Sequence, residues 1–138
     1  MLPVNVRSEK ARLPTRGSRD SAGLDLYAAT DVTIKANSTA LLPLGISVSI
    51  PRGFYGQIAS RSGLATKGLV VEAGVIDSDY RGEIKVLLYN HSHSPYEVKV
   101  GDRVAQLIII PVLMIEPAVA EALEETLRGE SGFGSTGE

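Results

Sequence analysis

The chain holds 138 residues, carries a formal net charge of −2 and has no cysteine. That length suits one domain with a core of its own. The near-balanced charge leaves no footprint for a nucleic-acid polymer or an anionic membrane, and the missing thiols exclude disulfides, thiol catalysis and thiolate metal sites. The longest apolar run, Val104 to Ile115, is too short to span a bilayer, contains Gln106 and is broken by Pro111. Arg7 and Glu9 come early and no apolar signal segment accompanies them. The expectation is a soluble intracellular protein, cytoplasmic or nuclear, encoded by a host or a virus.

In chain order, SAGLDLYA (21–28) reads as a strand in which Asp25 faces away from Leu24 and Leu26; an acid so placed ordinarily lies on the wet face of a sheet. VTIKA (32–36) and GISVSI (45–50) alternate or run apolar between turn residues and are predicted strands. ASRSGLATK (59–67) breaks this pattern. It predicts one or two helical turns beginning at Ser62, capped by that hydroxyl. Arg61 and Ser62 then stand where free N–H groups and a positive dipole end face an anion, although a capped surface helix explains the stretch equally.

GVIDSDYRGEI (74–84) reads as two strand ends around a tight turn, an ordinary hairpin by its Asp, Ser and Gly content. EIKVLLYN (83–90) and YEVKV (96–100) are further strands. Between them His91 and His93 occupy a polar turn with no third ligand, which predicts exposed turn residues rather than a metal pair. GDRVAQL (101–107) sets Arg103 and Gln106 at the entrance of a strongly apolar strand. AVAEALEETLR (118–128) is rich in helix formers, and RGESGFGSTGE (128–138) holds four glycines and Phe133. The spacing as a whole predicts an all-β sandwich or barrel with one short helix. A tail that flexible is ordinarily polar filler.

Five of these stretches, in this order, resemble the motif set of the trimeric dUTP pyrophosphatases, the dUTPases: SAGLDLYA, ASRSGLA, GVIDSDYRGEI, GDRVAQLI and RGESGFGSTG. The resemblance covers nearly the whole chain. It implies a jelly-roll-like β-barrel over residues 1–127 with a C-terminal arm, a flexible nucleotide-closing tail over 128–138, and a homotrimer with sites shared between subunits. The implied reaction is Mg²⁺-dependent hydrolysis of dUTP to dUMP and pyrophosphate, which lowers dUTP and supplies dUMP for thymidylate synthesis.

Residue by residue, the resemblance makes Asp77 the carboxylate that holds the water attacking the α-phosphorus, a task suited to a general base. It places Gln106 near the α-phosphate, and Arg61, Ser62 and Gly63 on the phosphate chain. Tyr80 lies against the deoxyribose and leaves no room for a 2′-hydroxyl. Uracil is read along the segment containing Gly74, Val75, Ile76, Gly82 and Ile84, largely by backbone groups. Asp25 reaches Mg²⁺ through water, in keeping with that ion's reluctance to shed its shell. Phe133 stacks on uracil, while Arg128, Gly134, Ser135 and Thr136 reach the phosphates. Arg103 resembles a structural arginine as much as a phosphate ligand.

This chain departs from many members of that family at Ser60, where proline is common, and at Gln57, where arginine is common. Glu130 puts a carboxylate in the tail and is expected to face solvent or weaken closure. Residues 118–127 are expected to form an extended arm despite their helix propensity. Two other readings share the features: a dCTP deaminase of the same fold, and a non-catalytic module that binds partner proteins under nucleotide control.

Overall fold

The computed structural model describes residues 1–134. Twelve strands and one turn of helix follow the predicted order closely. β1 (Val4–Val6), β2 (Thr15–Arg16), β3 (Leu24–Tyr27), β4 (Val32–Ile34), β5 (Ser38–Pro43) and β6 (Ile46–Val48) form the first half. β7 (Phe54–Ala59) leads into α1 (Ser62–Ala65), and then come β8 (Leu69–Glu72), β9 (Val75–Ile76), β10 (Lys85–Asn90), β11 (Tyr96–Val98) and β12 (Arg103–Pro111).

The strands pair antiparallel in four sheets: β1-β6, β5-β10-β8, β11-β4, and the five-stranded β2-β3-β12-β7-β9. Together they make the jelly-roll-like all-β fold. Period-two alternation decides which face each strand buries. On β10, Val86, Leu88 and Asn90 point inward while Lys85 is exposed; Leu26, Ile34, Leu42, Leu44, Ile58 and Leu107 join them in one core. The single buried amide among these is fully used. Asn90 Nδ2 donates to the carbonyls of Ile34 (3.1 Å) and Ser94 (2.8 Å), and its Oδ1 accepts from Ser92 N–H (3.0 Å) and Ser92 Oγ (2.7 Å). Asn90 thereby closes the His91–Ser94 turn. His91 and His93 are exposed on that turn, and among the described residues no group of three metal-ligating side chains occurs.

β12 is the organising strand of the five-stranded sheet, paired with β3 on one side and β7 on the other. A register shift between Arg103 and Ala105 lets consecutive residues Val104 and Ala105 both bury. Beyond Pro111 the chain forms neither helix nor strand through Gly134, so the helix propensity of residues 118–127 is not realised. Leu113, Met114, Ile115, Val119, Leu123 and Leu127 are all exposed on this segment. No helix among the described residues is long and apolar enough to cross a membrane.

Candidate active site

Register brings three predicted polar residues to one edge of the five-stranded sheet. Gln106 on β12 stands opposite Asp25 on β3 and opposite Ala59 on β7, the strand that delivers Arg61 two residues later. Arg61 Nε lies 3.2 Å from Asp25 Oδ1, and Arg103 Nη1 lies 3.5 Å from Asp25 Oδ2. Arg61 Nη1 also donates to the Arg103 carbonyl at 3.2 Å. One carboxylate, 16% exposed, therefore holds two guanidinium groups beside it. Arg103 is Asp25's second partner.

Gln106 is fixed by two contacts. Its Nε2 donates to the Ser60 carbonyl at 2.9 Å, and its side chain lies directly on Gly23. A Cβ at Gly23 would approach Gln106 Cβ to 2.9 Å and the amide oxygen more closely still. Ser60, in place of the expected proline, uses its Oγ to accept the Val71 N–H at 2.8 Å, a bond that ties β7 to β8. Gln57 Nε2 donates to the Ile58 carbonyl at 3.0 Å.

The helix at this edge differs from the expectation. Arg61, in extended conformation, is the N-cap, and no side chain caps α1, so the Ser62 hydroxyl is free of that duty. Arg61 reaches back to Asp25 and its carbonyl starts the turn, accepting from Leu64 N and Ala65 N. Ser62 and Gly63 are exposed, and a Cβ at Gly63 meets nothing within 4 Å.

The segment 74–84 also departs from the reading as a hairpin. β9 pairs with β7, whereas β10 pairs with β5 and β8, so the segment crosses between sheets. The tight turn itself is present, with Tyr80 N–H donating to the Asp77 carbonyl at 3.1 Å. Arg81 Nη1 staples it by donating to the carbonyls of Ser78 (2.7 Å) and Tyr80 (3.0 Å). Gly74, at φ 108°, presses so close to the Ile58 carbonyl that a Cβ would stand 2.6 Å from it. Beside this turn is a cavity of about 160 Å³ lined by Val75, Ile76, Asp77, Tyr80, Glu83 and Lys85. A larger depression of about 760 Å³, walled by Ile50, Phe54, Tyr55, Val112 and Met114, meets it at Val75 and Asp77. Glu83 and Lys85 were invisible as site residues in the sequence because they sit past the turn, on the approach to a strand.

These two groups of residues stand apart on the chain. Asp77 lies about four residue steps along β7 from the Gln106–Ala59 pair and two strand spacings across, roughly 16 Å between Cα atoms. In the tail, Arg128 and Phe133 are exposed, Arg128 Nε donates to the nearby Ser131 carbonyl at 2.9 Å, and Glu130 is exposed. Phe133 and Gly134 both have positive φ. Ser135 and Thr136, expected to bind phosphate, lie outside the described residues.

The structure thus presents an all-β scaffold with an arginine-carboxylate edge and, apart from it on the chain, a small cavity beside the Asp77 turn. The model of the dUTPase family matches residues 9–137. The deoxyuridine 5′-triphosphate nucleotidohydrolase of Yarrowia lipolytica is 55% identical over 139 aligned positions, covering 99% of this chain and 88% of that protein. Its counterpart from Arabidopsis thaliana is 53% identical over 135 positions, covering 97% of this chain and 81% of that one. Among solved structures, a point mutant of the Staphylococcus bacteriophage 80alpha dUTPase with dUpNHpp superposes with a TM-score of 0.95 at 30% identity, covering 100% of this chain and 99% of that one. The dUTPase of phage phi11, described as coordinating a structural Mg(II) ion, superposes at 0.86 with 30% identity, covering 91% of this chain and 99% of that one. The chain belongs to the dUTPase family.

Proposed function

We propose that this protein hydrolyses dUTP to dUMP and pyrophosphate by water attack at the α-phosphorus. The observation that carries the reading is the small cavity with Asp77, Tyr80, Val75 and Ile76 on its wall. In this reading Asp77 holds the attacking water and accepts its proton. Backbone groups from Gly74 to Ile84, Gly82 among them, read the uracil edge. Buried donors and acceptors left unpaired by a wrong base give strong rejection, on the order of 10⁴-fold, whereas excluding a methyl by size alone is worth about 1–3 kcal/mol.

The phosphate chain is assigned to Arg61, Ser62, Gly63 and Gln106. Asp25 is assigned to a Mg²⁺ ion through its water shell. A single carboxylate at this edge suits an ion held mainly by substrate phosphates and water, and does not suit an all-protein cage. When bound, the ion neutralises and orients the triphosphate. Asp25 meanwhile keeps Arg61 aimed at the edge, and Gly23 keeps Gln106 there.

The separation between Gln106 and Asp77 supports a site completed between subunits. The α-phosphorus and its attacking water must be within a few ångströms of both side chains, and roughly 16 Å between the two Cα atoms of one chain favours drawing them from two chains. A cyclic homotrimer meets the requirement by placing the Asp77 cavity of one subunit against the Arg61 edge of the next. The exposed apolar arm from Val112 to Leu127 gives the chain a segment with which to reach a neighbour. The tail, with Arg128, Phe133, Gly134, Ser135 and Thr136, is assigned to closing over the nucleotide: the phenylalanine ring stacks on the base and the polar groups meet phosphate. Stacking of about 1–3 kcal/mol offsets part of the ordering entropy.

Purified protein incubated with Mg²⁺ and each deoxynucleoside triphosphate in turn tests the assignment. Pyrophosphate is expected from dUTP alone; ammonia from dCTP would establish the deaminase reading instead, and no turnover of any nucleotide would favour the protein-binding module.

A further inference from the structure

We propose that Gly82 and Glu83 set the enzyme's preference for deoxyribose over ribose by fixing the position of the Tyr80 ring. The inference rests on the reading above that this ring lies against the sugar. Tyr80 is 42% exposed, so solvent alone would leave its ring several rotamers. Instead it folds back across Gly82, and its hydroxyl donates to the Glu83 carbonyl at 2.9 Å. A Cβ at Gly82 would stand 2.5 Å from Tyr80 Cζ, 2.9 Å from Cε2 and nearer still to the hydroxyl oxygen. The backbone at Gly82 has no left-handed φ. A side chain there would therefore push the ring from its place, whereas the backbone of the turn makes no demand for glycine.

The acceptor is held as firmly as the ring. Glu83 Oε1 accepts the Gly45 N–H at 2.9 Å, across 38 residues of sequence. The next residue is bound to the same turn: Ile84 N–H donates to the Ile46 carbonyl at 2.8 Å, and Leu44 N–H donates to the Ile84 carbonyl at 3.1 Å. Ile84 is fully buried. The Glu83 carbonyl thus rides on the core, while the other end of Tyr80 is tied by its N–H to Asp77. One side of the sugar cavity is in this way referenced to the Gly45 turn between β5 and β6. A wall that excludes one hydroxyl by contact works only if it cannot swing away, and Gly82 and Glu83 provide that restraint as positioning residues.

The test compares kcat/KM for dUTP and for UTP in the wild type, Tyr80→Ala, Gly82→Ala, Glu83→Ala and Glu83→Gln. Gly82→Ala is expected to lower the dUTP-to-UTP ratio by roughly tenfold or more, a change within the range that pocket shape contributes to selectivity, with little change in Tm. Glu83→Ala is expected to shift the ratio in the same direction, and Glu83→Gln, which keeps an oxygen for the Gly45 N–H, to restore it. A merely structural role would lower both substrates together and leave the ratio fixed, which overturns the inference. Should Gly82→Ala not fold, the Glu83 pair decides: equal ratios in the alanine and glutamine variants overturn it. If Tyr80→Ala leaves the ratio unchanged, the sugar-wall reading fails and the inference with it. A collapsed ratio in Tyr80→Ala beside an unchanged one in Gly82→Ala and both Glu83 variants overturns the inference alone.

Discussion

Asp25 and Arg61, 36 residues apart in sequence, form an ion pair at 3.2 Å in which both side chains are less than one-third exposed. The carboxylate anchors Arg61, and the proposed role toward Mg²⁺ would be a second task for it. Asp25→Asn keeps the shape and removes the charge. The expected result is a loss of roughly 10–100-fold in kcat/KM for dUTP together with a higher Mg²⁺ concentration at half-maximal rate. A Mg²⁺ titration checks it, and an unchanged midpoint would leave Asp25 as an arginine anchor only.

Hydrolysis in ¹⁸O-labelled water locates the bond that breaks. Attack at the α-phosphorus puts the label in dUMP, and label in pyrophosphate would contradict the assignment. Asp77→Asn is expected to bind dUTP nearly as well as wild type and to turn over about 10²-fold more slowly or worse. Because Asp77 is exposed and contributes only its carbonyl to the turn, its Tm should stay within about a degree or two of wild type, as for surface substitutions generally.

Truncation after Leu127 removes residues that, as far as Gly134, bury almost nothing. Calorimetry without nucleotide is expected to give an unchanged Tm, while dUTP turnover falls nearly to background. Phe133→Ala should lie between truncation and wild type, since it loses stacking of about 1–3 kcal/mol and keeps the phosphate contacts. A Tm drop on truncation as large as that of a core substitution would mean that the tail is structural.

Alternation and punctuation made most strands legible in the sequence. Leu26 fully buried beside an only partly buried Asp25 is what period two dictates, and the stop at Pro111 follows from proline's missing donor. What stayed hidden was pairing between distant segments. Nothing local to Val75 and Ile76 says that they join β7 rather than β10, so the segment 74–84 reads as a hairpin until the register is known. Ser62 resembles a cap by type, but Arg61 takes the cap position while its side chain pairs with Asp25, a residue on another strand. Gly23 and Gly82 carry no signal of their own. Each is glycine because of a side chain, Gln106 or Tyr80, that lies where a Cβ would be. Helix propensity in residues 118–127 failed for the opposite reason: helices that short need an apolar face packed against something, and among the described residues the side chains of this segment are all exposed.

The proposed site is shared between subunits, with Asp77 from one chain and Arg61 from the next, which stand well apart within a single chain. Asp77→Asn and Arg61→Ala homotrimers should each be nearly inactive. When equal amounts are refolded together, about three-quarters of trimers are mixed, and cyclic symmetry gives each mixed trimer one site with both residues intact, so about a quarter of wild-type activity should return. Light scattering on the same sample must give the mass of three chains, since a dimer sharing sites would recover a similar fraction. Recovery near a quarter in a demonstrated trimer is the predicted result; no recovery despite proven subunit mixing would contradict the shared site.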